Sequence, residues 1–139
     1  MKYVLDSSVG IKWVMNEVDT DKARRIRDDF RNSIHELLAP DCYVMEAAHG
    51  LTKAERRGFV TDSGKLWDEL MLDCPDLYHS ITLVVRAIQI SRRFHHAAYD
   101  CLYVALAERE GCELLTADQR LINNLQTALP FITSLASLP

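Results

Sequence analysis

Lys2-Tyr3-Val4-Leu5-Asp6-Ser7-Ser8 is a short β-prone run that ends on a carboxylate, and the fold class hangs on it. Tyr3, Val4 and Leu5 follow one another with no polar residue between, the pattern of a strand buried on both faces, as in a parallel sheet. Leu37–Ala39, Leu77–His79, Glu113–Leu115 and Phe131–Ser134 are further short strands by the same criteria. Helices separate them. A short one, capped by Ser8, runs to about Asn16, and Thr20–Arg31 is amphipathic with Ala23, Ile26 and Phe30 at helical spacing. Pro40-Asp41 opens a long helix through about Arg57, stopped by Gly58, with Asp41 as its N-cap. Thr61–Leu72, Thr82–Phe94 and Ala97–Glu110 follow, the last closed by Gly111, and a final helix starts at Thr116. Strands alternating with helices predict an α/β fold: a mostly parallel central sheet with helices on both faces, as one domain over residues 1–139. Sites in such sheets form in the crevice beyond the carboxyl ends of the strands, where the acids then matter most.

Composition narrows the function. The 139 residues are 48% hydrophobic and 26% charged, enough for an ordinary core. Sixteen Lys and Arg stand against twenty Asp and Glu, a net charge of −4, which argues against a protein that coats nucleic acid with positive charge. No apolar run approaches the ~18 residues of a membrane span, and the charge at Lys2 and Asp6 does not suit a signal peptide. Cys42, Cys74, Cys101 and Cys112 form no C-x-x-C pair, and the five histidines do not fall at zinc-ligand spacing from them. A cytoplasmic chain with reduced thiols is expected.

Four acids stand out. Asp6 ends the first strand, and Ser8 leaves it free of a capping task. Glu46 lies a turn inside the helix opened by Asp41; its alternative is a solvated helix acid. Asp100 is the only charge between Ala97 and Ala107, on a segment apolar nearly all round, with no Lys or Arg at i±3 or i±4. A buried carboxylate of that kind needs a partner or a cation. Asp118 follows the Glu113–Leu115 strand, where Thr116 and Gln119 match a capping box and leave Asp118 over.

All four can converge on one crevice. Two carboxylates ~5 Å apart repel by roughly 3 kcal/mol at an effective dielectric of about 20. A hard divalent cation, Mg²⁺ or Mn²⁺, removes that penalty with oxygen ligands, and the chemistry it suits is phosphodiester hydrolysis.

The chain resembles the PIN-domain ribonucleases, and within them the VapC-like toxins of toxin–antitoxin pairs. The resemblance rests on Tyr3-Val4-Leu5-Asp6-Ser7-Ser8-Val9 with Lys12-Trp13, on Ala39-Pro40-Asp41 leading to Glu46-Ala47, on Ala98-Tyr99-Asp100-Cys101-Leu102-Tyr103-Val104-Ala105-Leu106-Ala107-Glu108, and on Leu115-Thr116-Ala117-Asp118-Gln119-Arg120-Leu121. It implies a three-layer α/β/α sandwich and an acidic site of Asp6, Glu46, Asp100 and Asp118. Asp6 and Asp100 are then direct metal ligands, and Glu46 and Asp118 act directly or through water. It further implies endoribonuclease activity on RNA, a homodimer, and a cognate antitoxin whose tail covers the groove. Some members carry an additional acid after the fourth, where this chain has Gln119, Arg120 and Leu121, so the number of ions stays open.

Ser7, Ser8 and Thr116 can bond the carboxylates, although capping suits Ser8 and Thr116 as well. His95 and His96 can touch substrate or form a solvated loop pair. Lys53, Arg56 and Arg57, like Arg24, Arg25 and Arg27, can hold phosphates or lie on a solvated face. Two alternatives are a catalytically silent PIN scaffold and an aspartate-nucleophile phosphatase. The phosphatase needs a second Asp where Ser8 stands. A receiver domain needs an acidic pair after the first strand, which is missing.

Overall fold

The computed structural model describes all 139 residues. Five strands make one parallel sheet: β1 (Lys2–Leu5), β2 (Glu36–Pro40), β3 (Asp76–Tyr78), β4 (Glu113–Thr116) and β5 (Ile132–Ser134), in the order β3-β2-β1-β4-β5. Val4 sits opposite Leu38 on one side and Leu114 on the other, which makes β1 the central strand. Val4, Leu5, Leu37, Leu114 and Leu115 are wholly buried, as the uninterrupted apolar runs require.

Seven helices join the strands: α1 (Ser7–Gly10), α2 (Thr20–Arg31), α3 (Tyr43–Arg56), α4 (Ser63–Met71), α5 (Val84–Phe94), α6 (Ala98–Glu110) and α7 (Gln119–Leu125). Connections through α1–α4 advance toward β3, and those through α5–α7 advance toward β5. Right-handed crossovers running in opposite directions put the two groups on opposite faces, giving the three-layer α/β/α sandwich. The direction reverses beside β1, so the crevice between the ends of β1 and β4 is the topological switch point. No helix is long and apolar enough to cross a membrane.

α6 runs through this core with Cys101 to Ala107 all buried, as its apolar circumference predicts. Gly111 closes it at φ +63°, a left-handed conformation that glycine adopts without a Cβ clash. The expected caps differ from those observed. Ser8 caps no helix; its hydroxyl turns to the acids. Asp41 does not cap α3 but accepts from the Ser80 backbone amide at 3.2 Å and from the Ser80 hydroxyl, tying the end of β2 to the segment after β3. Thr116 belongs to β4, and Asp118 is the cap of α7. The segment read as a helix from Thr82 begins with a 3₁₀ turn at Ser80–Leu83, and the first helix ends in another at Ile11–Trp13.

Gly10 shows how tightly α1 is seated. A Cβ at this position would run into the Tyr43 hydroxyl and lie 3.1 Å from Tyr43 Cζ, and that ring is wholly buried at the start of α3. Gly10→Ala is therefore expected to cost about 1–3 kcal/mol of stability, read from chemical denaturation.

Candidate active site

Asp6, Glu46, Asp100 and Asp118 line one cleft of about 720 Å³. Four different elements deliver them. Asp6 follows β1, and its own amide donates to the Leu115 carbonyl at 3.0 Å, so the ladder between β1 and β4 extends to the acid itself. Glu46 and Asp100 stand in the first turns of α3 and α6, where helix N-termini favour negative charge. Asp118 caps α7 just beyond β4.

Each carboxylate is gripped through one oxygen. Asp6 Oδ2 accepts from the Ser8 and Thr116 hydroxyls, both at 2.7 Å. Glu46 Oε2 accepts from Tyr103 Oη at 3.0 Å and from Ser7 Oγ at 3.3 Å. His96 Nε2 lies 2.6 Å from Asp100 Oδ2. Asp118 Oδ1 accepts from the amides of Arg120 and Leu121, at 3.0 and 3.3 Å. The second oxygen of every one of the four has no protein donor, and Glu46 Oε1 is buried without any partner.

Burial and mutual repulsion set the protonation of this group. Burial raises the Asp6 carboxyl to about 6, against the pull of its two hydroxyl donors and with help from Asp100 and Asp118. Burial likewise raises Glu46 to about 7, with Asp6 adding to the rise and Tyr103 opposing it. Asp100 is also raised by burial, while its bond to His96 works against the shift. No lysine or arginine pairs with any of the four acids.

The four acids expected to converge share one cleft, and two of their supports, Tyr103 and His96, come in addition to those expected. Tyr103, wholly buried, lies one turn along α6 from Asp100 and serves Glu46. His96 is buried too, not part of a solvated loop pair; His95 beside it is exposed. The signal for His96 is its place four residues before Asp100, a spacing at which histidine can pair as well as Lys or Arg. Asp118 both caps α7 and lines the cleft, although the Thr116–Gln119 capping-box pattern leaves it no capping task. Of the basic residues, Lys53 lines the cleft and makes no ion pair. Arg24 and Arg25 of α2 are tied to backbone carbonyls of Trp13 and Pro139, and Arg27 pairs with Asp28. Arg56 and Arg57 are exposed at the end of α3 and do not line the cleft.

Residues 3–125 match the PIN domain family. The chain belongs to the PIN domain family. It is 31% identical over 125 residues to Ribonuclease VapC3 of Pyrobaculum aerophilum, a match spanning 87% of this chain and 92% of that protein. The crystal structure of PAE2754 from Pyrobaculum aerophilum has a similar fold, with a TM-score of 0.68 at 18% identity over 99% of this chain and 94% of that one. So has that of VapBC2 from Rickettsia felis bound to a DNA fragment from their promoter, with a TM-score of 0.62 at 11% identity over 96% and 97% of the two chains.

The PIN-domain cleft suits a hard cation by its donor set. Its inward donors are carboxylate oxygens, one free on each acid, with one of them buried and unpartnered. No group of three or more His, Cys, Asp or Glu side chains is disposed to hold an ion alone. Any ion held here would need waters or a substrate phosphate to complete its shell.

Proposed function

We propose that this PIN domain is a Mg²⁺- or Mn²⁺-dependent endoribonuclease and the toxin of a toxin–antitoxin pair. The observation that carries the reading is the cleft of four carboxylates, each held through one oxygen and free at the other. The likeness to Ribonuclease VapC3 supports RNA as the substrate. Asp6 and Asp100 hold the cation directly, and Glu46 and Asp118 do so directly or through water. Bound there, the ion would supply a water of lowered pKa and offset the charge of the phosphodiester transition state. Ser8 and Thr116 keep the Asp6 carboxylate turned toward the cleft, and Tyr103 with Ser7 does the same for Glu46. Glu46, which burial raises to about 7 in the metal-free cleft, would be held ionised by a cation bound beside it. Lys53, on the cleft wall and without an ion pair, meets a substrate phosphate.

The acidic cleft also suits a basic side chain on an antitoxin tail, in a complex formed in the cytoplasm. A homodimer is supported by the apolar residues left exposed around α5: Ile81 at 82%, with Val84, Val85 and Ile88 beside it. Incubating the purified protein with a mixed RNA pool tests the activity. Cleavage within chains is expected with Mn²⁺ and none with EDTA; an RNA pool left intact with Mn²⁺ overturns the reading.

A further inference from the structure

The turn between α5 and α6 carries a histidine that no step above has used. His95 ends α5 at φ +52°, and this left-handed residue turns the chain so that His96 points inward. Two bonds to one residue of α5 fix the His96 backbone. Its amide donates to the Ser91 carbonyl at 3.3 Å, and its carbonyl accepts from Ser91 Oγ at 2.5 Å. The imidazole is 2% exposed. Nδ1 faces Asn124 Nδ2 on α7 at 3.0 Å, and Nε2 faces Asp100 Oδ2 on α6 at 2.6 Å. With the Asn124 amide nitrogen facing it, a neutral ring accepts at Nδ1 and carries its proton on Nε2, where it donates to Asp100.

We propose that His96 is a positioning residue: held by Ser91 and Asn124, it clamps Asp100 Oδ2 so that Oδ1 is presented to the cation in the cleft. The inference rests on the metal reading of the preceding section. Asp100 is the acid most in need of such a clamp. Asp6 has two hydroxyl donors, Glu46 has two and Asp118 has two amides, whereas Asp100 has His96 alone. Without it, neither oxygen of Asp100 has a protein donor, and the carboxylate is free to rotate. Partners of this kind hold metal-ligating groups in orientation, and their loss lowers metal affinity by about 10–100-fold.

The competing account is a histidine that merely fills space between α5, α6 and α7. Its removal would then lower stability and leave the affinity of the folded protein unchanged. Mn²⁺ titration of the full chain, followed by calorimetry and by the spin resonance of free Mn²⁺, separates the two. His96→Leu is expected to weaken Mn²⁺ binding by about 10–100-fold. His96→Gln is expected to restore binding to within about threefold, because its amide nitrogen can donate from nearly the place of Nε2. A folded His96→Leu that binds Mn²⁺ as the wild type does overturns the proposal. Should His96→Leu fail to fold, Asn124→Ala decides, since Asn124 is exposed: a loss of Mn²⁺ affinity supports the clamp and an unchanged affinity overturns it. A wild-type protein that binds no Mn²⁺ removes the metal reading instead. The clamp falls with it, because it presents Asp100 to that cation; where Mn²⁺ does bind, a ¹⁵N spectrum that places the His96 ring proton on Nδ1 overturns the clamp alone.

Discussion

Asp6→Asn is expected to reduce RNA cleavage by on the order of 10³-fold, the scale of losing one strong electrostatic group at a reacting centre. The same substitution should raise the melting temperature of the metal-free protein. Asparagine keeps a carbonyl oxygen to accept from Ser8 and Thr116, so the link between α1 and β4 persists. What it removes is a negative charge buried at the end of the central strand, facing Asp100 and Asp118. The rise of that carboxyl from 3.8 to about 6 corresponds to roughly 3 kcal/mol held against the fold when the group is ionised. Relief of part of it gives several degrees of added thermal stability for a chain of this size. Asp100→Asn should also abolish cleavage and leave the protein folded. Paired measurements of cleavage and thermal melting check both outcomes, and an Asp6→Asn protein with full activity would sink the mechanism.

The second large effect is a dependence of stability on pH that runs opposite to that of most carboxylate-bearing proteins. Asp6 and Glu46 have higher pKa values folded than unfolded, so between about pH 4 and 7 the folded state holds more protons. Stability of the metal-free protein must then fall as pH rises through that window. The loss is complete only about a pH unit above the Glu46 value of about 7, where both groups are ionised in either state. Asp41 and Glu108, shifted down by Ser80 and Arg86, act with the opposite sign, but they are largely solvated and act below this window. Mn²⁺ taken up as proposed would bind the ionised carboxylates, so its stabilisation is expected to grow with pH and to flatten or reverse the slope. Thermal melts between pH 5 and 8, with EDTA and with Mn²⁺, read both effects. A metal-free protein more stable at pH 8 than at pH 5 would contradict this account of the cleft.

The elements were legible in the sequence because apolar periodicity is a local signal. Thr20–Arg31 was read with the same bounds it has in the structure, and the buried α6 followed from the absence of a polar face. The four acids were legible for a related reason: each lacked an obvious local task in a place where the fold puts it near a crevice. The caps were not. Ser8, Asp41 and Thr116 each had a plausible partner two or three residues away, yet each bonds a group from a distant part of the chain: Ala117 for Ser8, Ser80 for Asp41 and Asp6 for Thr116. A short polar side chain at the end of a strand can serve either, and only the assembled sheet decides. The same holds for Tyr103 and Glu46, which lie on α6 and α3 and meet only after both helices dock.

The bond from the Asp6 amide to Leu115 anchors one side of the cleft to the sheet, while the other side is carried by helices. Asp6 is located by strands whose spacing, about 4.8 Å, is common to all sheets and cannot be tuned by side chains. Thr116, which steadies its carboxylate, rides on the same ladder, and Asp118 follows two residues later. Glu46 and Asp100 ride on helices that can shift by fractions of an ångström as their packing changes. Changes in helix packing can therefore alter the width of the cleft. A one-residue slip of β4 against β1 would instead turn Thr116 away from Asp6 and dismantle the site at a stroke.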